Sequence, residues 1–337
     1  MPKPASPAPS FAALVQAYFA EYLTQQRALS AQTIAAYRDA MVLFLQFAQS
    51  HLGKAPVAMT LAELTPELLT AFLDHLEQQR HNCVRSRNAR LAALRSFLKF
   101  AAHRDVASLQ VLERALGIPV KRFEHPMFGY LSPEEMQAVI QAPPSSWIGQ
   151  RDHLLFLMLY NAGARVSEIT RVTVGDVVLE EHAACVHLHG KGRKQRSVPL
   201  WHSTIKAIRA WLKQNPNLGA GDPLLPTRNG QAMTRTNVSL RLAAAVQTAS
   251  KRYPDLVSRA VSPHTIRHTT AMHLLQAGVD ISVIALWLGH ESPVTTHQYV
   301  QADLAMKEQA LAKLHEPDGK LQRYRAPDSL IGFLKSL

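Results

Sequence analysis

Apolar residues recur every three or four positions along most of the chain, which is the period of an amphipathic helix. Four such segments fill the first third of the sequence. Ser10 is a predicted N-cap for the first segment, and Gly53 is expected to end the second. We therefore predict a small all-α domain over residues 10–115. Three leucines of the fourth segment share one face of its helix: Leu91, Leu94 and Leu98.

The helical period is lost over residues 116–130, where proline and glycine are frequent, and this predicts a linker. A second domain is expected over residues 131–315, where helical periods resume. The proline-rich residues 1–9 are predicted to form a flexible tail. Residues 316–337 are expected to form a C-terminal tail that ends in a short amphipathic segment.

Alternation of apolar and polar residues, the pattern of a β-strand, is visible in the second domain. The segments AACVHLH and QRSVPL are predicted to pair through a turn at GKGRK, whose glycines suit a hairpin. The expected fold is therefore mainly α with a small β-sheet, an α+β fold.

A metal site is one interpretation of the first of these strands. Alternation would place Cys185, His187 and His189 on one strand face, so ligation is geometrically feasible. No second cluster with zinc-ligand spacing accompanies them in the sequence, so an ordinary half-buried strand face is the favoured interpretation.

Charge narrows the class of partner. The 337 residues contain 37 Lys and Arg against 25 Asp and Glu, a net charge of +12. This balance favours a polyanionic partner, with nucleic acid ahead of an acidic membrane surface. Cys83 and Cys185 are too few for a disulfide framework and suit a reducing cytosol. The sequence shows no membrane-spanning run and no secretory leader, so we expect a cytoplasmic, nucleoid-associated protein.

Basic side chains cluster in two segments that are candidates for contact with a DNA backbone. One is the fourth helix, where arginines lie largely off the leucine face, and the other is the predicted hairpin turn. For both, a solvated charged surface is the alternative. The candidate DNA-binding residues are Arg87, Arg90, Arg95, Arg193, Lys194 and Arg196.

The segment after residue 261 carries polar, titratable residues where a core helix would carry leucine. Ser262 is a predicted N-cap, so His264 lies in the first helical turn, where the helix dipole disfavours an imidazolium. A neutral imidazole can act as a general base. Arg267 follows three residues later on the same face and could bind two oxygens of one phosphate. His268 points elsewhere and is expected to pack or cap.

Two further candidates follow at a helix end. His290 comes directly after Gly289, a predicted helix stop, so it lies on a turn. Its alternative role is a C-terminal cap. Tyr299 lies nine residues further on; a lone tyrosine at helical spacing is usually a core residue, but a phenol is also a good nucleophile at phosphorus.

The remaining candidates lie upstream. Arg165 comes directly after a Gly-Ala break, a position from which a guanidinium can project into a cleft. Glu168, three residues on, is expected to support the backbone or to pair with that arginine. Lys191 lies between two glycines at the predicted hairpin tip, where a solvent-facing turn is the alternative.

Together these residue types supply what phosphodiester transfer without a metal requires. Two arginines and a histidine can neutralise the charge that develops on the non-bridging oxygens. A tyrosine phenol, with a pKa of about 10, is far more acidic than the sugar hydroxyl that it displaces. A metal-dependent nuclease would need convergent carboxylates, and the acidic residues are scattered along the sequence.

The ordered set of motifs resembles the catalytic region of the tyrosine recombinases of the phage integrase family, especially the bacterial Xer-type and transposon-borne integrases. The four N-terminal helices resemble the core-binding domain of that family less specifically. The motifs are ARVSE around Arg165 and Glu168, GKG around Lys191, HTIRH from His264 to His268, LGH ending at His290, and Tyr299.

The resemblance implies a role for each matching residue. Tyr299 would attack the scissile phosphate and form a 3′-phosphotyrosyl link. Arg165 and Arg267 would clamp the phosphate, with His290 assisting. The lysine of the hairpin tip, Lys191, would protonate the departing 5′ oxygen. His264, in the first turn of its helix, would serve as the general base.

The resemblance also implies partners. The DNA partner is double-stranded DNA with paired recombination sites. The protein would act on it as a homo-tetramer, or as a hetero-tetramer with a related recombinase, and the reaction would pass through a Holliday junction. No cofactor or metal is implied, and no membrane. We further expect that apolar residues of the C-terminal tail dock on a partner protomer, with docking on their own domain as the alternative: Leu330, Ile331, Phe333 and Leu334.

Two other functions are compatible with these residues. A type IB topoisomerase uses similar chemistry but relaxes supercoils as a monomer and needs no paired sites. A non-catalytic DNA-binding factor could keep the fold without activity. Chain length and the match to the Xer-like pattern favour a recombinase, and the presence of every expected catalytic side chain argues against a non-catalytic factor.

Overall fold

The structure is a computed structural model that describes residues 10–123, 129–180, 183–190 and 195–290. The chain divides into two compact units, with the boundary between Pro126 and Met127. No helix in these described ranges is both long enough and apolar enough to cross a membrane.

The first unit is helical throughout its described part, as predicted. Ser10 caps the first helix by accepting a hydrogen bond from the N–H of Ala13 at 3.2 Å, and Gly53 ends the second at φ +64°. The first helix continues as a π-helical segment, Tyr18–Gln26, which the pattern did not predict. The helices are α1 Phe11–Ala17, α2 Ala31–Leu52, α3 Pro66–Gln78, α4 Val84–Ala102 and α5 Leu109–Leu116.

An aromatic cluster fills the core of this unit. Tyr18 is fully buried, and its ring contacts Phe97 and Phe100 edge-on at centroid distances of 5.4 and 5.2 Å. The three leucines predicted to share a face of α4 are all buried. The sequence did not predict α5, and Ile118, which follows it, also belongs to this core. The beginning of the predicted linker therefore packs on the first unit.

The second unit is mainly helical with a small sheet, which confirms the predicted fold class. Its longest helix, α7, is buried along most of its length: its second half is mainly apolar, and in its first half Arg151 and Asp152 are buried as an ion pair. Its elements are α6 Pro133–Gln141, α7 Trp147–Ala162, α8 Val166–Ile169, β1 Val177–Val178, β2 Cys185–His189, β3 Gln195–Pro199, α9 His202–Gln214, α10 Arg235–Ala249, α11 Pro263–Gln276 and α12 Ile281–Leu288.

The sheet is antiparallel with strand order β1-β2-β3. The β2–β3 hairpin agrees with the prediction, whereas β1 spans two residues and is too short to show alternation. Val186 opposes Val198 and Leu188 opposes Arg196, and directly opposed residues point to the same face. Because both valines and Leu188 are buried, this face is the inner face of the sheet.

The outer face of β2 carries the three residues considered as metal ligands. His187 shares a hydrogen bond with Ser197 at 2.8 Å, and His189 Nε2 bonds to Asp176 at 3.0 Å. Among the described residues, no group of three or more potential ligands could hold a metal ion. These hydrogen bonds to a hydroxyl and a carboxylate are those of a half-exposed strand face.

Helix α11 is fixed to the start of the second unit. Thr269 Oγ1 accepts the N–H of Leu131 at 3.0 Å, and His273 Nε2 bonds to the carbonyl of Leu131 at 3.0 Å. The other ring nitrogen of His273 bonds to Tyr160 of α7 at 2.7 Å. These contacts set the position of α11, which begins at Pro263 and carries His264 and Arg267 in its first two turns.

Candidate active site

The site is built around the C-terminal end of α12. The last carbonyls of a helix lack intrahelical partners, and the helix dipole favours positive charge there. Three arginines from three different elements donate to three successive carbonyl oxygens of this end. The pairs are Arg196 with Trp287 at 2.9 Å, Arg267 with Leu288 at 2.8 Å, and Arg165 with Gly289 at 3.2 Å.

The turn that ends α12 has the geometry of a Schellman motif. Gly289 is left-handed, with φ +65° and ψ +50°, and the N–H of His290 donates to the carbonyl of Ala285 at 2.9 Å. This turn places His290 directly after the carbonyl that Arg165 binds. The predicted position of His290 just past a helix end agrees with the structure.

Arg165 is the N-cap residue of α8, directly after the turn that ends α7. Gly163 in that turn is left-handed at φ +55°, and a Cβ there would lie 2.5 Å from a methyl of Leu288. The end of α7 therefore packs tightly on α12, which brings Arg165 to the end of α12. The side chain of Arg165 is 40% exposed, so part of its guanidinium faces solvent.

Glu168 is the buried acceptor of the site. Its carboxylate takes the backbone N–H of Arg165 at 2.9 Å, the guanidinium of Arg165 at 2.8 Å and that of Arg196 at 2.8 Å. Burial raises the pKa of this carboxyl, but the hydrogen bonds and positive charge of the two arginines outweigh it and lower the pKa to about 2. Glu168 is therefore ionised. It contacts the backbone and the guanidinium of Arg165, as expected, and also Arg196, which the sequence did not indicate.

Arg267 is almost completely buried, with 1% exposure. Its guanidinium donates to the carbonyl of Gly163 at 2.7 Å as well as to that of Leu288. One side chain thus connects the C-terminal ends of α7 and α12. Sequence spacing predicted the helix and the face of Arg267, but not these two carbonyl partners.

Two histidines of α11 lie against each other. His264 is exposed in the first turn, after the N-cap Ser262, whose side chain accepts the N–H of Thr265 at 3.2 Å. The ring of His268 meets that of His264 edge-on at a centroid distance of 4.2 Å. Burial and then the positive potential of His264 and Arg267 lower the pKa of His268 to about 4. His268 was expected to point elsewhere and to pack or cap; it is buried, and its ring packs against that of His264.

His290 is half-buried beside the arginines. Burial, followed by the charges of Arg267 and Arg165, lowers its pKa to about 4. A neutral His290 does not act as a charged cap for the dipole of α12, the alternative role considered from the sequence. At neutral pH its imidazole can instead donate one hydrogen bond.

The structure corrects the prediction that Arg196 contacts DNA. Its side chain is 12% exposed and lies on the inner face of the sheet, opposite Leu188. The guanidinium is occupied by the carboxylate of Glu168 and the carbonyl of Trp287. Arg196 is an internal residue of the site. Its burial could not be predicted, because both partners are distant in sequence.

A second correction concerns α4. Arg87 is 3% exposed and donates to the carbonyl of Pro119 at 3.2 Å, with Glu77 4.0 Å away, so it stabilises the first unit and is not available to DNA. Arg95 is half-buried and donates to the carbonyls of Leu116 and Ile118. Arg90 is half-buried as well. The exposed basic residues of this helix are Arg85 and Lys99.

The site therefore brings together five of the residues singled out in the sequence. They are Arg165, Glu168, Arg196, Arg267 and His290, with His264 and its neighbour His268 beside them. Four further candidates lie outside the described residues: Lys191, Arg193, Lys194 and Tyr299.

Comparison with known proteins identifies the family of the chain. The model of the phage integrase family matches residues 129–306, and that of the N-terminal SAM-like domain of phage integrases matches residues 16–105. A putative integrase/recombinase of Sinorhizobium fredii, y4rC, is 42% identical over 329 residues, which cover 97% of this chain and 98% of that protein. The tyrosine recombinase XerC of Neisseria meningitidis is 31% identical over 312 residues, 87% of this chain and 92% of that one.

Solved structures share the fold. The recombinase XerH bound to a palindromic difH substrate gives a TM-score of 0.67 at 19% identity, covering 85% of this chain and 81% of that one. The Tn1549 transposon integrase in complex with a circular intermediate DNA gives a TM-score of 0.69 at 14% identity. The match covers 89% of this chain and 99% of that one. The chain belongs to the phage integrase family of tyrosine recombinases, which confirms the resemblance seen in its motifs.

Proposed function

We propose that the protein is a site-specific DNA recombinase that cleaves and rejoins strands through a 3′-phosphotyrosyl intermediate and a Holliday junction. The observation that carries this proposal is the gathering of Arg165, Arg267 and His290 at one helix end. Membership of the phage integrase family supports the same activity. Positive charge held rigidly beside a hydrogen-bond donor is what a phosphoryl transition state requires.

In this mechanism Tyr299 attacks the scissile phosphate. Arg165 and Arg267 neutralise the charge that develops on its non-bridging oxygens. The partial exposure of Arg165 supports direct contact with the phosphate, while the burial of Arg267 supports a fixed charge behind it. His290, neutral at physiological pH, donates a hydrogen bond to the same oxygens.

Proton transfer is assigned to two other residues. His264 accepts the proton of the phenol, a role supported by its exposed position in the first turn of α11. Lys191 donates a proton to the departing 5′ oxygen. Religation reverses these steps with a 5′ hydroxyl from another strand as the nucleophile, and no cofactor or metal takes part.

The partner is double-stranded DNA with paired sites, held by a homo-tetramer or a hetero-tetramer with a related recombinase. We assign residues 10–115 to a core-binding domain, 116–130 to the linker and 131–315 to the catalytic domain. The apolar residues of the C-terminal tail, Leu330, Ile331, Phe333 and Leu334, lie outside the described residues and are proposed to dock on a partner protomer. Location in the cytoplasm, on the nucleoid, and a role in transposition are part of the same proposal.

Mapping of covalent adducts tests this function. Purified protein is incubated with the genomic DNA that neighbours its gene, and DNA bound to protein through a tyrosine ester is recovered and sequenced. A recombinase gives adducts at discrete positions and exchanges strands between two such sites on one plasmid. Relaxation of a plasmid with a single site, without exchange, would indicate a topoisomerase, and binding without any adduct would indicate a non-catalytic factor.

A further inference from the structure

We propose that Arg196 is a positioning residue of the active site, which holds the turn carrying His290 and limits Glu168 to a single contact with the guanidinium of Arg165. This inference rests on the proposed recombinase function and assigns a role to a residue that does not itself contact the phosphate.

The guanidinium nitrogens of Arg196 bind to elements that are far apart in the sequence. Nε donates to the carbonyl of Trp287, 91 residues away, and Nη2 donates to Glu168, 28 residues away. Only a guanidinium can direct donors to a carbonyl and a carboxylate in this fixed fork. Strand β3 is thereby joined to both α8 and α12.

The turn at the end of α12 packs closely against the side chain of Arg196. A Cβ on Gly289 would lie 3.0 Å from Nη1 of Arg196 and 3.1 Å from its Cδ. Gly289 is also left-handed, at φ +65°, a conformation that side chains rarely adopt. The residue between the helix end and His290 is therefore a glycine for two reasons, and one of them is the presence of Arg196.

The carboxylate of Glu168 explains why a second arginine is needed. Its side chain is 2% exposed, and a buried carboxylate needs compensating charge and hydrogen bonds. Arg196 binds Oε2 while Arg165 binds Oε1 and keeps its other amino group on Gly289. Without Arg196, Oε2 would keep only the backbone N–H of Arg165 and would draw the guanidinium of Arg165 into a bidentate pair and away from the phosphate.

A direct DNA contact is the competing role for Arg196. Its position opposite Leu188 on the inner face of the sheet and its 12% exposure argue against that role. The two roles also differ in what they predict. A phosphate contact contributes to binding and to its salt dependence, whereas a positioning residue contributes to the rate after binding.

The test uses the full chain with Arg196→Lys and Arg196→Met, and Arg209→Lys as the matched control. Arg209 also donates to a backbone carbonyl of the same unit, that of Leu179 at 2.7 Å, but on an exposed surface. Three quantities are measured on the mapped DNA site: the affinity as a function of salt, the rate of covalent adduct formation at saturating protein, and the pKa of His290 by NMR. Folding is checked by far-UV circular dichroism, so that the Lys variant decides if the Met variant does not fold.

The proposal predicts that both Arg196 variants bind DNA with unchanged salt dependence and form the adduct more slowly by on the order of 10²-fold. The pKa of His290 is expected to move toward its ordinary value in Arg196→Met, because one nearby cation is lost. Adduct formation at the wild-type rate would overturn the proposal, and so would a loss confined to affinity with a reduced salt slope. If the wild-type protein itself gives no adduct, the proposed function fails instead.

Discussion

Arg267 donates to the carbonyl oxygen of Leu288 at 2.8 Å, so the most deeply buried cation of the site is held by the end of a helix. Its second carbonyl partner, Gly163, lies at the end of another helix. Both ends present carbonyls that lack partners within their own helix, together with the negative pole of a helix dipole. The charge proposed to bind the phosphate is therefore fixed by the protein itself, which is the preorganisation that electrostatic catalysis requires.

The first prediction concerns that cation. In Arg267→Lys, a single ammonium cannot reproduce the planar fork that binds Gly163 and Leu288 together. We expect adduct formation to fall by about 10²–10³-fold and the free energy of unfolding to fall by about 1–3 kcal/mol. Urea unfolding followed by tryptophan fluorescence reports on the second unit alone, because all four tryptophans lie there.

Arg228→Lys is the control for this change, since Arg228 is exposed in the same unit. Arg228→Lys should leave the rate of adduct formation and the free energy of unfolding close to those of the wild-type protein. Cleavage by Arg267→Lys within roughly threefold of wild type would contradict the role given to this residue.

The second prediction separates backbone strain from crowding at the turn before His290. Gly289→Ala places a Cβ against the Arg196 side chain, whereas Gly278→Ala meets nothing within 4 Å; both glycines are left-handed, at φ +65° and +83°. Both variants should lose about 1–2 kcal/mol of stability from the strained backbone. Only Gly289→Ala should also slow adduct formation, and equal rates for the two variants would remove the argument from crowding.

The third prediction concerns pH and stability. The pKa of His268 is about 4 in the folded protein and 6.5 ordinarily, so the unfolded chain binds more protons between these values. Stability should therefore be fully present above pH 6.5 and decrease as the pH falls toward 4, by up to about 3 kcal/mol for this group. His290 acts in the same direction, whereas the pKa of Glu168, about 2, lies below this range.

His268→Gln tests the contribution of His268. Urea unfolding at pH 7 and at pH 4.5 should show a smaller difference in the variant than in the wild-type protein, by about 2 kcal/mol. Curves that shift equally with pH in both proteins would show that His268 is not held neutral by burial.

The fourth prediction separates structural from DNA-facing arginines on α4. Arg87→Met removes a buried cation that binds the carbonyl of Pro119 and lies 4.0 Å from Glu77. We expect a loss of about 1–3 kcal/mol in stability, measured by circular dichroism, with no change in the salt dependence of DNA binding.

Arg85→Met is the matched change on the exposed face of the same helix. It should leave stability unchanged and reduce the slope of log affinity against log salt by about 1. The reverse pattern, with Arg87 controlling the salt slope and Arg85 controlling stability, would show that α4 meets DNA through a different face.

Much of this fold follows from local signals. Ser10, Ser132 and Ser262 cap helices, and Gly163 and Gly289 end them, because capping depends on residues only a few positions apart. The β2–β3 hairpin follows from alternation in the same way. The strand β1 has two residues and the helix α5 has eight. Their patterns of apolar and polar residues are too short to be distinguished from those of a loop.

The inward arginines show where sequence reasoning fails. Arg87 and Arg196 look like solvent-facing charges, because their nearest sequence neighbours are polar or basic. Their partners include Pro119, 32 residues away, and Trp287, 91 residues away. A buried cation requires such partners, and only the folded chain brings them together.

The nucleophile is the centre of the account, and a nicked suicide duplex that carries the mapped site tests it most directly. Cleavage releases a short fragment from this duplex and traps the covalent complex. The wild-type protein and Tyr253→Phe should form the adduct, Tyr299→Phe should form none while still binding DNA, and the modified peptide should contain Tyr299. An adduct that persists in Tyr299→Phe, or a wild-type protein that binds the duplex and never forms one, would contradict the account.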